Sequence, residues 1–128
     1  MSRTVNVDLT LDGTCICNDA TTLNSLLTTS SIKIKRVTKN TNYTVLSTDY
    51  LIGADVSSST ITITLPTAST VPNQIFHIVD EKGNSLTNNI IVSTQEGDTI
   101  IGNNTLIIAS NYTSITVYSD GTSEYLVV

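Results

Sequence analysis

The stretch Thr60-Ile61-Thr62-Ile63-Thr64-Leu65, closed by Pro66, alternates a hydroxyl and an apolar side chain at every step. Successive side chains of a strand point to opposite faces, so this period of two predicts a β-strand with Ile61, Ile63 and Leu65 on its buried face. Pro66 ends the strand, and residues 67–73, with Pro72, read as a loop. Downstream, residues 75–79 are apolar at almost every position, as in a strand covered on both faces. Residues 90–93, 99–101, 106–109 and 115–118 are further short strands. Between them lie turns at Asp80-Glu81-Lys82-Gly83-Asn84, Glu96-Gly97-Asp98 and Gly102-Asn103-Asn104. Asp120-Gly121 closes a last hairpin with residues 125–128.

Upstream the same alphabet continues. Residues 43–46 and 50–52 read as extended, and Ile32 and Ile34 alternate with Lys33 and Lys35. Val5, Val7, Leu9 and Leu11 alternate with Thr4, Asn6, Asp8 and Thr10, and Asp12-Gly13 follows. This predicts an N-terminal hairpin with Cys15 and Cys17 on its returning arm. The pattern changes at residues 18–31. Leu23, Leu26 and Leu27 have i, i+3, i+4 spacing behind a capping Asn18 or Asp19, which predicts one or two helical turns. About ten short strands with turn signals every ~8–12 residues predict an all-β fold. The expected architecture is an antiparallel β-sandwich of jelly-roll type, with a β-helix as the minority alternative. Asn88-Asn89-Ile90-Ile91 resembles Asn103-Asn104-Thr105-Leu106, but two copies fall short of the ~3 repeats a solenoid needs. The expected organisation is an N-terminal hairpin and short helix in residues 1–40, and a sandwich in residues 41–128.

Composition agrees with strands. Ile and Val number 26 against 15 for Leu and Ala, and the 128 residues include 23 Thr, 15 Ser and 12 Asn. β-branched residues favour pleated surfaces, which argues against a helix bundle. Charged residues make up 13% of the chain, so neutral polar groups supply the solubility. No apolar run has the length of a spanning helix or of a signal-peptide core, so neither membrane insertion nor classical secretion is expected. The net charge of −5 argues against nucleic acid as a partner, and the densest basic stretch, Lys33, Lys35, Arg36 and Lys39, is short enough to be one solvated strand.

Catalytic chemistry has little to work with. The single histidine, His77, sits between Phe76 and Ile78 without a carboxylate beside it, so a packed or surface role is expected. No nucleophile elbow, His-Glu-x-x-His motif or Gly-rich phosphate loop occurs. Asp80 with Glu81, and Glu96 with Asp98, sit at turns without the rhythm of a calcium loop. Cys15-Ile16-Cys17 is too close for a relaxed disulfide and lacks the further ligands of a zinc site. Reduced thiols are its ordinary reading, and contact across a symmetry axis the sharper one. Thr60-x-Thr62-x-Thr64 resembles the threonine ladder of ice-binding solenoids, but a single such strand reads as a solvent-facing edge of hydroxyls. Three Asn-x-Thr sites, at Asn42, Asn103 and Asn111, are no excess for this composition. The expectation is therefore no enzyme, no cofactor and no metal.

Tyr43-Thr44-Val45, Asp49-Tyr50-Leu51-Ile52, Ile61-Thr62-Ile63-Thr64-Leu65-Pro66 and Phe76-His77-Ile78-Val79-Asp80 with Gly83 follow a recognisable order. Asn89-Ile90-Ile91-Val92, Thr99-Ile100-Ile101-Gly102, Asn111-Tyr112 and Tyr118-Ser119-Asp120-Gly121 continue it. Together they resemble a small β-rich domain of fibre and appendage proteins of bacteriophages and other large viruses. Where such domains often carry Trp near the last strand, this chain has Tyr125. The resemblance implies a non-enzymatic virion structural protein that assembles as a homotrimer. Such a protein is made in the host cytoplasm and displayed on the virion surface, as a short head fibre, tail fibre or capsid decoration held by capsid or tail proteins. On this reading Cys15, Cys17, Leu23, Leu26 and Leu27 are candidate assembly contacts. The alternative is a lectin-like adhesin for host glycans, with Asn111 and Tyr112 as candidate contacts, since sugars stack on exposed aromatics.

Overall fold

The computed structural model describes Ser31 and residues 33–128, of which Lys33 to Val128 form one compact unit. The N-terminal hairpin, the short helix and the candidates Cys15, Cys17, Leu23, Leu26 and Leu27 lie outside the described residues. Among the described residues ten strands form: β1 (Arg36–Lys39), β2 (Tyr43–Thr44), β3 (Leu51–Ala54), β4 (Ile61–Thr64), β5 (Ile75–Asp80), β6 (Ile90–Ser93), β7 (Thr99–Ile100), β8 (Thr105–Ile108), β9 (Ser114–Ser119) and β10 (Glu124–Val127). A single 3-10 turn, Ala68–Thr70, lies in the loop after Pro66. The fold is thus nearly all-β, and the alternation at residues 60–65 becomes β4, with Ile61 and Ile63 buried and Thr62 and Thr64 half-exposed.

The strands make a six-stranded sheet in the order β1-β3-β5-β9-β10-β7 and a four-stranded sheet in the order β2-β4-β6-β8. From β1 to β9 the chain changes sheet at every connection, and β9–β10 is the one consecutive pair that is hydrogen-bonded. The expected antiparallel jelly roll is therefore corrected to a pair of mixed sheets. The pairs β1–β3, β3–β5, β2–β4, β4–β6 and β7–β10 are parallel. Only β5–β9, β6–β8 and β9–β10 are antiparallel. The reason is geometric. From β1 to β6 a turn that crosses to the other sheet reverses the chain and the next crossing restores its direction, so alternate strands lie parallel, whereas β8 and β9 enter their sheets antiparallel to β6 and β5. Over β1 to β6 this connectivity is closer to the β-helix alternative than to a jelly roll. The likeness between residues 88–91 and 103–106 is not a stacked repeat, because β6 and β8 run antiparallel, with Ile90 beside Ile108. Strand β1, on the N-terminal side of the residue-40 boundary, pairs with β3 along its whole length, and Val37 packs against the core.

The core lies between the sheets. Ile52, Ala54, Phe76, Ile78, Val117 and Tyr125 of the larger sheet meet Val45, Ile61, Ile63, Ile90, Val92 and Ile108 from the smaller one, all almost fully buried. The Phe76 and Tyr125 rings are tilted by 55° with centroids 6.4 Å apart. The Tyr125 hydroxyl donates to the Pro66 carbonyl at 2.8 Å, so the one polar atom of this ring is satisfied. Burial, with Asp98 nearby, pushes that hydroxyl far above the usual tyrosine range.

Two consequences are measurable. Phe76→Ala should lower the unfolding free energy by about 3–5 kcal/mol in a urea titration, as large-to-small changes in closed cores do. Ile101, in the turn between β7 and β8, is held at φ 44 and is half-exposed. A β-branched residue is strained there, so Ile101→Asn should raise the unfolding free energy by about 1 kcal/mol.

Candidate functional site

Strand β5 ends on Asp80, whose side chain falls on the inward face. A carboxylate can be held there, 1% exposed, only if its oxygens are satisfied. Oδ1 accepts from the backbone N–H of Lys82 at 3.2 Å and of Gly83 at 2.9 Å. Oδ2 accepts from the N–H of Ser85 at 2.9 Å and of Tyr112 at 3.2 Å. One side chain thus ties the loop after β5 to the loop before β9. The Ser85 hydroxyl donates to the Ser110 carbonyl at 2.5 Å, and the Leu86 N–H donates to Asn111 Oδ1 at 2.9 Å. Burial alone would push the Asp80 carboxyl up, but the donors from Ser85, Tyr112 and Asn84 outweigh it and hold the group below the usual carboxylate range.

What this clamp presents is Tyr112. Its backbone is left-handed at φ 58, and its ring lies over Gly83, where a Cβ would come within 2.3 Å of the ring. Gly83 is itself left-handed at φ 69, so only glycine meets both demands without strain. The Tyr112 side chain stays 74% exposed, and Leu86 beside the same loop is 69% exposed. The structure therefore fixes Asn111 and Tyr112 in one hydrogen-bonded loop, with Leu86 beside it. Sequence reasoning missed Asp80 as the organiser and took it for an ordinary turn carboxylate; the signal was Asp80 followed by Gly83 at the end of an apolar strand. An aromatic face beside an amide is suited to stacking and hydrogen bonding with a sugar ring, although the Asn111 carbonyl is already committed to Leu86.

The other candidates disperse. His77 faces outward from the six-stranded sheet, half-buried, with Nδ1 2.7 Å from the Thr116 hydroxyl on the neighbouring strand. Asp98 is buried and accepts from the Ala68 N–H at 2.8 Å, which pins the loop after β4, while Glu96 is exposed. Among the described residues no group of three or more His, Cys, Asp or Glu is placed to hold a metal ion, and no helix is long and apolar enough to cross a membrane. Three of the four cations of the basic stretch are engaged by the fold itself. Lys35 pairs with the buried Asp49 at 2.9 Å, Arg36 grips Glu81 with two hydrogen bonds, and the Lys39 ammonium lies 4.0 Å over the Tyr43 ring. Asp49 also accepts from the Tyr43 hydroxyl at 2.6 Å, and burial together with that bond pushes Tyr43 up to about 12. Thr44, Thr64, Ser93 and Thr105 stand in one register row across the four-stranded sheet, with the Thr64 and Ser93 hydroxyls bonded at 3.0 Å.

The outer face of the six-stranded sheet is mixed, with Arg36, Thr38, His77, Ser114 and Thr116 beside an apolar strip. Ile75, Tyr118 and Leu126 align across β5, β9 and β10, with Leu51 and Val79 on the same face. Ile75 is 40% exposed and the others are half-buried.

Asp80→Ala leaves several inward-facing N–H groups without an acceptor and should destabilise by at least about 3 kcal/mol in urea. A carboxyl whose folded pKa lies below its unfolded value stabilises fully above about pH 4, and the gain is lost as pH falls through the folded value. The unfolding midpoint of the native chain should therefore drop below about pH 4, and less steeply for Asp80→Ala. No protein-family model matches the chain, and no similar curated protein was found.

Proposed function

We propose that the chain is a non-enzymatic virion structural protein, a short fibre or a capsid or tail decoration, that assembles with copies of itself as a homotrimer. The observation that carries this reading is the outer face of the six-stranded sheet. The inward residues of β5, Phe76 and Ile78, already fill the core, yet the outward residues Ile75 and Val79 are apolar as well. Their register neighbours Tyr118 and Leu126 extend the same surface. An apolar strip on the outside of an already closed sandwich, bordered by His77 and Thr116, is a surface that association of identical subunits can bury. In this proposal the chain before β1 holds the particle through capsid or tail proteins, and the sheets from β1 onward form the displayed domain.

A second reading, compatible with the first, is recognition of host glycans at Asn111 and Tyr112. The exposed, backbone-locked Tyr112 ring favours it. Light scattering on the full chain should return three times the 13.7 kDa chain mass or a multiple of it, and Ile75→Lys should lower the mass threefold. A monomer of native sequence at every concentration would end the homotrimer reading. On a glycan array, any hit should vanish with Tyr112→Ala, while the array-negative result removes the second reading alone.

A further inference from the structure

Strand β8 is the free edge of the four-stranded sheet. Its ladder to β6 fixes which of its backbone groups are used. The Thr94 N–H donates to the opposite Asn104 carbonyl at 3.3 Å, so that opposed pair is a hydrogen-bonded one. Antiparallel pairs alternate, so Leu106 and Ile108 turn their N–H and C=O toward Val92 and Ile90. Thr105 and Ile107 turn theirs to the free edge. None of these outward groups has a partner among the described residues. Natural edges are usually blunted by lysine, proline, a bulge or a covering loop. This one, Thr-Leu-Ile-Ile, has no charge, no proline and an Ile107 that is 58% exposed.

We propose that β8 pairs with β8 of a second copy of this chain about a two-fold axis at Leu106, joining two four-stranded sheets into one. The geometry selects a second copy as occupant. The outward-facing residues flank Leu106 symmetrically, so a two-fold places Thr105 of each strand opposite Ile107 of the other. Each of the two pairs then exchanges both of its N–H···O bonds, and neither strand has to shift register. The chain is net negative, yet neither β8 nor its neighbour β6 carries a charged residue, so like charges do not oppose each other along the paired strands. The turn leading into β8 keeps an exposed isoleucine, Ile101, in a backbone conformation that asparagine or glycine would hold with less strain. The contact goes beyond the homotrimer reading and does not rest on it.

The test is the absolute mass of the full chain by light scattering across a dilution series, for the native sequence, Ile107→Pro and Ile107→Lys. Proline removes only an outward-facing N–H, and lysine keeps the backbone but places like charges on both sides of the axis. The native chain should be an even assembly, two copies or six, and each folded variant should have half that mass. A native mass of one or three copies overturns the proposal, as does an even mass that both folded variants retain. Three copies would leave the homotrimer reading standing, two would remove it, and six would support both. Should neither variant fold, amide exchange on the native chain decides. Protection of the Thr105 and Ile107 N–H groups that disappears on dilution supports the pairing, and fast exchange at both overturns it.

Discussion

Parallel pairing between strands far apart in the sequence is the constraint on which this structure depends. Arg36 lies beside Leu51, and Leu51 beside His77, with a strand of the other sheet intervening in the chain each time. Short strands cannot hold such pairings by ladder hydrogen bonds alone, since those bonds are exchanged for bonds to water and net little each. What fixes the register is burial. A slip by one residue would move Ile61 and Ile63 out of the core and bring Thr62 and Thr64 into it. The alternating pattern therefore specifies which face of each strand is covered, and the sheet-to-sheet crossings specify which strands become neighbours.

Crossing loops have no hairpin ladder to organise them, and in this chain carboxylates take its place. Asp49, Asp80 and Asp98 are buried, and each accepts a backbone N–H of a loop: Leu46 for Asp49, Lys82, Gly83, Ser85 and Tyr112 for Asp80, Ala68 for Asp98. Asp120 does the same on the surface for Thr122, Ser123 and Glu124 in the β9–β10 hairpin. Several of the acidic side chains behind the net charge of −5 are thus structural acceptors. The same clamps make loop ends rigid enough to hold Tyr112 and Gly83 in left-handed backbone.

Strand positions were legible because their signal is local. The Thr-Ile alternation of residues 60–65 and the apolar run 90–93 needed no knowledge of neighbours, and β4 and β6 formed there. Asp120-Gly121 was legible as a hairpin for the same reason, and its ladder runs from Tyr125 beside Ser119. The topology was not, because a turn that crosses between sheets uses the same Gly, Asn and Asp residues as one that stays in its sheet. Asp12-Gly13 and Asp120-Gly121 look alike, as do the turns at Gly83 and Gly97, across which the chain changes sheet. Asn111 and Tyr112 could be named from an aromatic beside an amide in a turn. The carboxylate that fixes them stands some thirty residues earlier, and only folding brings Asp80 to the Tyr112 N–H.

The same non-local pairing bears on how long the fold lasts once made. Contacts of large sequence separation form late, after the entropy of closing long loops has been lost, so a sheet of this kind folds slowly. Unfolding must break β5 from both β3 and β9 while exposing Phe76 and Ile78, and no single hairpin can peel away first except β9–β10. That hairpin is itself anchored, because Tyr125 is buried against Phe76 and β10 pairs on its far side with β7. A protein whose strands are each held by neighbours from elsewhere in the chain resists local opening, and resistance of that kind is kinetic as much as thermodynamic. Association through the outer sheet face would cover the remaining apolar side chains of β5 and β9, and it would place a further barrier in front of the step that exposes the core.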